Sequence, residues 1–178
     1  MKVYFGAGIQ GASTPEVRAE RAALYRAMIE HIQSLGHEVL FEHTATNNKE
    51  EVWEVLEKQF GPLPPAGPER SNFIRNRNIE AIEHMADAAI FEVSMPSLGV
   101  GIELAHAYLR PKMGLKPIPI LCLYQKGFWG HGLSIMVSGA AAASEHVKVV
   151  EYENQGLAKN AISSLLKQTK IESKISGL

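Results

Sequence analysis

The sequence predicts an α/β protein that forms a single-domain, three-layer sandwich around a five-stranded parallel sheet. Three observations support this prediction. Short apolar runs alternate with stretches of helical length, which is the pattern of parallel strands joined by crossover helices. The 178 residues, of which 46% are hydrophobic and 21% charged, suit one ordinary globular domain. Glycine-rich loops follow the first and third apolar runs, as at the ligand-binding edge of Rossmann and flavodoxin-like sheets.

Capping and helix-breaking residues delimit the first elements. Thr14 is a good N-cap and Pro15 fits the first turn of a helix, which Gly36 then ends. Farther along the chain, Asn48 and Glu51 have the spacing of a capping box. The predicted elements are a strand over residues 2–5, a helix over 16–35, a strand over 37–41 and a helix over 48–60.

A proline-rich run over residues 61–68 cannot form regular structure, so residues 44–70 are predicted to be an inserted helix and loop. Strands and helices then alternate again. The domain is expected to span residues 1–170, with a loose tail over 171–178. The remaining predicted elements are helices over 71–86, 102–109, 132–143 and 157–169, and strands over 87–93, 117–123 and 146–150.

The segment after the third strand is the most informative part of the chain. Pro96, Gly99 and Gly101 are expected to form a turn through which the backbone approaches a ligand closely. Glu103 is expected in the first turn of the next helix. Because the carboxyl ends of parallel strands face the ligand crevice, this carboxylate would face a bound substrate. The helix dipole alone also favours a glutamate there, so a purely structural role is the alternative.

Residues 92–104, EVSMPSLGVGIEL, closely resemble the signature of the 2'-deoxynucleoside 5'-phosphate N-hydrolases, within the wider nucleoside 2-deoxyribosyltransferase superfamily. The resemblance implies that Glu103 is a nucleophile and that Ser97 helps to hold a 5'-phosphate. It extends to the first strand and loop, where it implies that Tyr4 orients the nucleophile. In the fourth strand and the next helix it implies that Ser134 is a second phosphate-binding serine, supplied across a homodimer interface.

Two positions depart from the family pattern. Gln10 stands where the family has an arginine, which removes a cation able to pair bidentately with phosphate. Asn78 aligns with an aspartate that contacts the base and manages the leaving-group proton. Asparagine can hydrogen-bond a base, but it cannot act as a general acid at neutral pH. Arg75 or Arg77 could reach phosphate instead, or simply face solvent.

The first loop also matches the dinucleotide-binding pattern G-x-G-x-x-G. Two details oppose an NAD-binding interpretation: the predicted helix begins after the third glycine, and no acidic residue follows about 20 positions later at a strand end. We expect instead that backbone N–H groups of this loop bind a nucleotide's sugar or phosphate. The predicted substrate-binding residues are Gly6, Gly8, Ile9, Gln10, Ser97, Gly99, Gly101 and Ser134, and the predicted catalytic residues are Glu103, Tyr4 and Asn78.

Composition excludes several other functional classes. A net charge of -1 gives no electrostatic footprint for nucleic acid or an anionic membrane. No run approaches the ~20 apolar residues of a spanning helix, and the first residues predict a strand rather than a signal peptide. The single cysteine, Cys122, excludes an internal disulfide and a cysteine-built metal site. We therefore expect no metal, no organic cofactor and a cytoplasmic location.

The resemblance implies hydrolysis of the N-glycosidic bond of a (deoxy)nucleoside 5'-monophosphate through a covalent glycosyl-Glu103 intermediate. Two alternatives stay open. One is a deoxyribosyltransferase, in which another base replaces water; the other is a non-catalytic nucleotide-binding module, suggested by Asn78 in place of an acid. Trp53 and Phe60 are expected to pack the inserted helix onto the domain, with a lid over the base as the alternative.

Overall fold

The fold is seen in a computed structural model that describes residues 1–9, 11–128, 130 and 132–175. Five strands form one sheet in which every neighbouring pair is parallel, in the order β2-β1-β3-β4-β5. The predicted parallel sheet is confirmed, and its flavodoxin-like order places the ligand-binding switch point between β1 and β3. The strands are β1 Lys2–Ala7, β2 Glu38–Val39, β3 Ala88–Glu92, β4 Ile120–Gln125 and β5 Val147–Tyr152.

Helices cover both faces of the sheet and so complete the predicted three layers. Successive residues of β1 point to opposite faces: Val3 and Phe5 belong to a buried cluster under α1 and α6, whereas Tyr4 belongs to one under α3, α4 and α5. The helices are α1 Pro15–Ser34, α2 Lys49–Phe60, α3 Pro68–Glu80, α4 Leu98–Leu109, α5 Ile135–Ala142 and α6 Gln155–Ile175.

The capping signals read from the sequence are confirmed at α1 and α2. The Thr14 hydroxyl accepts a hydrogen bond from the Val17 N–H at 3.3 Å, and Pro15 begins α1. At α2 the Asn48 side chain accepts from the Glu51 N–H at 2.9 Å. The Glu51 carboxylate in turn accepts from the N–H of Asn47 at 2.7 Å, one residue before the cap. These bonds satisfy helix N–H groups that have no partner within the helix.

The predicted start of α4 is wrong. This helix begins at Leu98 rather than at residue 102, with Ser97 as the N-cap, whose hydroxyl accepts from the Val100 N–H at 3.3 Å. Gly99 and Gly101 therefore lie within the helix and do not form a turn. Glu103 lies in the second helical turn, not the first. The low helix propensity of glycine suggested a loop, but the serine cap and the packing of the helix override it.

The second strand and the last helix also differ from the prediction. The edge strand β2 is reduced to Glu38–Val39, because the chain leaves the sheet soon after it and forms a 3-10 turn over His43–Ala45. The last helix continues to Ile175, so the predicted loose tail from residue 171 is wrong for 171–175. Those residues are compatible with a helix and no glycine or proline precedes Gly177 there, so nothing in the sequence stops α6 earlier. Residues 176–178 lie outside the described part of the chain.

Candidate active site

The three predicted catalytic residues meet at the switch point of the sheet. Tyr4 comes from β1, Asn78 from α3 and Glu103 from α4. The Asn78 side-chain N–H donates to Glu103 Oε1 at 3.4 Å, and the Tyr4 hydroxyl also hydrogen-bonds the Glu103 carboxylate. Tyr4 and Asn78 are buried, and Glu103 is partly buried. Three distant parts of the sequence thus hold one carboxylate in a fixed orientation.

Burial decides the electrostatics of this site. It disfavours the ionised form of Glu103 and raises the pKa of its carboxyl group to about 7, although the hydrogen bonds from Tyr4 and Asn78 act in the opposite direction. Burial, with the nearby negative charge of Glu103, raises the pKa of Tyr4 well above its usual range, so the tyrosine remains a neutral donor. A carboxyl group with so perturbed a pKa in a ligand-binding crevice is typical of a catalytic residue.

The glycines of the first loop serve close packing. A Cβ atom at Gly6 would lie 2.7 Å from the Phe91 ring and 3.0 Å from Glu103 Oε2. At Gly8 it would lie 3.2 Å from the Met95 side chain, and at Gly11 it would lie 2.8 Å from the Pro96 carbonyl oxygen. None of these three glycines has a positive φ. The glycine spacing is therefore explained by contact with the segment after β3, without any dinucleotide.

Of the two remaining predicted residues of the first loop, the structure describes Ile9, which is partly exposed. Gln10, predicted to replace the family's phosphate-binding arginine, lies outside the described residues. Ser97 caps α4, so the predicted phosphate-binding serine stands at a helix N-terminus, where backbone N–H groups favour an anion. Gly99 and Gly101 are exposed on the first turns of that helix.

Ser134 lies on a different side of α4 from Glu103. It precedes α5, is exposed and makes no capping bond with its side chain. Together with Ser97 it lines a groove of about 650 Å³ between α4 and α5, whose wall on α4 includes Gly101 and Ala105. Glu103 is two residues from each of these, which is about 200° around the helix axis. The structure thus brings the two serines to one groove, but it does not bring Ser134 to Glu103 within one chain.

Aromatic packing around Tyr4 was not predicted from the sequence. The Tyr4 ring lies 5.7 Å from that of Phe41 and 5.8 Å from that of Phe91, measured between centroids. Phe60 of the inserted helix packs on Phe41, with 5.4 Å between the ring centroids, in agreement with the expectation that this residue packs the helix onto the domain. Trp53 on the same helix lies against the Arg70 guanidinium at 5.3 Å. Only the apolar character of these positions could have indicated the cluster.

The part of the chain that the structure describes contains no group of three or more His, Cys, Asp or Glu side chains able to hold a metal ion. Cys122 is buried as a free thiol within β4. None of the described helices combines the length and the apolar character needed to cross a membrane.

Comparison with known proteins places this site in a family. No protein-family model matches the chain. A relative from Nematostella vectensis named "Putative 2'-deoxynucleoside 5'-phosphate N-hydrolase 1" is 35% identical over 139 residues, 78% of this chain and 77% of the relative. The 5-hydroxymethyl-dUMP N-hydrolase of Rattus norvegicus is 32% identical over 142 residues, 80% and 71% of the two chains. A Thermofilum pendens protein with the same name as the first is 30% identical over 168 residues, 93% and 95% of the two chains.

The fold and the site define a single-domain α/β enzyme built around one hydrogen-bonded carboxylate at the switch point of a parallel sheet. The similarity to the relatives extends over most of each chain and includes this carboxylate's segment. The chain belongs to the 2'-deoxynucleoside 5'-phosphate N-hydrolase family, and it is therefore an enzyme that cleaves N-glycosidic bonds.

Proposed function

We propose that this enzyme hydrolyses the N-glycosidic bond of (deoxy)nucleoside 5'-monophosphates to free base and (deoxy)ribose 5-phosphate, through a covalent glycosyl-Glu103 intermediate. The orientation of Glu103 is the observation that carries the proposal. Its carboxylate is hydrogen-bonded by Tyr4 and Asn78 at the ligand-binding edge of the sheet. The names of the relatives, which specify 2'-deoxynucleoside 5'-phosphate or 5-hydroxymethyl-dUMP N-hydrolases, support the substrate class.

The reaction has two displacements at C1' of the sugar. Ionised Glu103 attacks C1', and the base leaves with the electrons of the N-glycosidic bond through an oxocarbenium-like transition state. Water then attacks C1', and the carboxylate leaves as the sugar hydroxyl forms. Tyr4 holds the carboxylate throughout as a neutral donor. Asn78 contacts the base but has no acidic proton, so the departing base takes its proton from water.

The 5'-phosphate is proposed to bind at the N-terminus of α4, beside Ser97, with Ser134 supplied by a second copy of the chain. The apolar rim of the groove between α4 and α5 supports an interface with a second chain at this place. Its rim exposes Leu98, Ile135 and Met136, which are 91%, 84% and 78% exposed in the single chain. Apolar side chains exposed together to this degree are typical of a protein–protein interface. The homodimer and the cytoplasmic location are parts of the proposal.

A panel of individual nucleoside and deoxynucleoside 5'-monophosphates tests the activity. We expect chromatography to show release of free base, and Glu103→Ala to abolish it. Glu51→Gln is the matched control, because Glu51 of α2 is also partly buried and accepts from the Asn47 N–H at 2.7 Å without contacting Glu103, and it should retain turnover. Activity that survives in Glu103→Ala would remove this residue as the nucleophile.

The same panel separates the two alternatives. Release of base only when an acceptor base is added would favour a deoxyribosyltransferase over the hydrolase. Binding of nucleotides without any release would favour the non-catalytic module, for which the missing acid at Asn78 is the supporting observation. Nucleoside substrates without phosphate serve as the control, because they should be cleaved poorly if the serines bind phosphate.

A further inference from the structure

A buried ion pair lies at the carboxyl end of the central strand, on the face of the sheet opposite to Tyr4 and Glu103. Glu92 ends β3 and is 0% exposed, and it pairs with Arg21 of α1, which is 3% exposed. The Tyr152 hydroxyl donates to Glu92 Oε1 at 3.0 Å, and the Ser94 hydroxyl donates to the same oxygen. The carboxylate is therefore surrounded by donors from a helix, a neighbouring strand and its own following loop.

This pair is connected to the loop after β1 and to the end of β4. The Tyr25 hydroxyl lies 3.4 Å from Glu92 Oε2 and 3.3 Å from the Gly8 carbonyl oxygen, so it links the carboxylate to the first loop. The Ser94 hydroxyl, which donates to Glu92, accepts from the Gln125 N–H at 2.6 Å. One buried carboxylate thus contacts groups that fix the ends of three strands.

Arg21 extends the connection to the loop between β4 and α5. Its guanidinium donates to Gln125 Oε1 at 2.5 Å and lies 4.5 Å from the centroid of the Phe128 ring. Phe128 belongs to the loop that leads to Ser134. The three loops reached by the ion pair are those that carry Gly8, Ser97 and Ser134, the residues assigned above to the nucleotide.

Stability alone is a weak explanation for such a pair. Buried ion pairs can often be replaced by apolar side chains without loss of stability, since desolvation offsets their attraction. A planar guanidinium with several fixed donors is instead suited to hold several acceptors in one geometry. The position of this pair beneath three ligand-facing loops gives it a specific role.

We propose that Arg21 and Glu92 are positioning residues that fix the loops after β1, β3 and β4 in the arrangement that receives the nucleotide. The inference rests on the proposed function for the identity of the ligand. Neither residue contacts Glu103, Tyr4 or Asn78 through any described hydrogen bond. Their loss should therefore weaken nucleotide binding more than it slows the chemical step.

Arg21→Lys tests the role while it keeps a cation beside Glu92. Lysine cannot donate to Gln125 and lie flat against Phe128 at the same time. We expect KM for the best nucleotide of the panel to rise about tenfold, with kcat changed less than about threefold. Arg26→Lys is the matched control, because Arg26 lies on the same helix and donates to the Ala45 carbonyl at 2.8 Å, and its described hydrogen bonds reach none of the three loops. It should leave KM unchanged.

Amide hydrogen exchange gives a readout that needs no turnover. In Arg21→Lys we expect residues 94–97 and 125–128 to exchange faster than in the wild type, while the interior of β3 keeps its protection. Should Arg21→Lys fail to fold, Gln125→Met and Phe128→Leu remove the outer contacts without unpairing Glu92 and carry the same expectation.

The outcomes separate the two proposals. If the wild type releases no base, the proposed function fails. The role of Arg21 is then decided by amide hydrogen exchange of the loops and by the dissociation constant of dUMP, since neither measurement needs turnover. The positioning role would be overturned if the loop amides of Arg21→Lys exchanged at the wild-type rate and its KM or its affinity for dUMP were unchanged. So would equal changes in KM for Arg21→Lys and Arg26→Lys overturn it, because the effect would then not depend on the contacts that Arg21 makes.

Discussion

Burial shields the Glu103 carboxylate from water, and it also makes the carboxyl group harder to ionise. The crevice that excludes water from its carboxylate also raises the pKa of the carboxyl group to about 7, so at neutral pH the proposed nucleophile is only partly ionised. Hydrogen bonds from Tyr4 and Asn78 stabilise the ionised form and offset part of this effect. The two neighbours are therefore expected to influence both the orientation and the protonation of the attacking group.

The pH dependence of turnover should report the protonation of Glu103. Only the carboxylate attacks C1', so kcat/KM is expected to fall about tenfold per pH unit below the pKa of about 7 and to level off above it. Tyr4→Phe removes a hydrogen bond that lowers this pKa, so its acid limb should move to higher pH. Initial rates of the wild type and of Tyr4→Phe between about pH 5 and about pH 9 give the acid limb of each profile. An acid limb near the ordinary pKa of 4.5 would contradict the assignment.

The same pKa shift predicts a stability cost of the active site. The folded state holds the Glu103 proton more tightly than the unfolded state, so this group's contribution to the free energy of unfolding is present at low pH and is lost as pH rises from 4.5 to about 7. We expect Glu103→Gln to stabilise the protein by about 2–3 kcal/mol near pH 8 and to have little effect near pH 4. Urea denaturation at both pH values measures the difference, and equal effects would refute the electrostatic explanation.

At the scale of elements, the site depends on how closely β1 and the segment after β3 approach each other. Gly6 is the tightest point, because Phe91 and Glu103 occupy the space that a side chain would need. The π-helical turn over Ala81–Met85 between α3 and β3, and the serine cap that begins α4, set the positions of Asn78 and Glu103 on either side. Each catalytic residue is thus oriented by the packing of its own element.

Gly6→Ala should disturb stability and turnover together. The added Cβ would lie 2.7 Å from the Phe91 ring, and rings packed against β1 cannot move freely, so a loss of about 1–3 kcal/mol is expected. Turnover should fall because the same atom would lie 3.0 Å from Glu103 Oε2. Gly156→Ala is the control, because a Cβ there, in the first turn of α6, meets only the movable Asn154 side-chain oxygen, at 3.2 Å, and alanine favours a helix. Wild-type turnover in Gly6→Ala would show that this contact can relax.

At the scale of the whole molecule, the nucleophile and Ser134 face different sides of α4 within one chain. The groove between α4 and α5 is mostly lined by apolar side chains that a monomer would leave in water. In a two-fold symmetric dimer, two such grooves would meet, and each serine could approach the neighbouring chain's α4. The dimer would then complete the phosphate site as well as cover the apolar surface.

Mixed dimers provide the test. When inactive Glu103→Ala chains and Ser134→Ala chains associate at random in equal amounts, about a quarter of all sites contain both an intact Glu103 and an intact Ser134 from the other chain. Activity at low substrate concentration should therefore recover to about a quarter of the wild-type value. Sites complete within one chain would give only the mean of the two separate variants. Native mass spectrometry, which separates the hybrid from the two homodimers by mass, confirms that hybrids have formed.

The sequence by itself determined the fold class and the members of the site. Its alternation of strands and helices gave the parallel sheet, and capping residues such as Thr14 and Asn48 set helix starts correctly because these bonds are local. Resemblance selected Glu103, Tyr4 and Asn78, which the structure brings together. The start of α4 was wrong because two glycines weakened a helix that tertiary packing supports.

Only the tertiary structure decided the environment of these residues. The pKa of Glu103 depends on which side chains exclude water from it, and a helix-dipole argument from sequence did not anticipate an increase to about 7. Glu92 is the one charged residue of β3, but its partner Arg21 lies 71 positions earlier (92 − 21 = 71), and no local pattern in the sequence connects the two. Burial and long-range pairing arise from the packed chain, whereas periodicity and capping are properties of short segments.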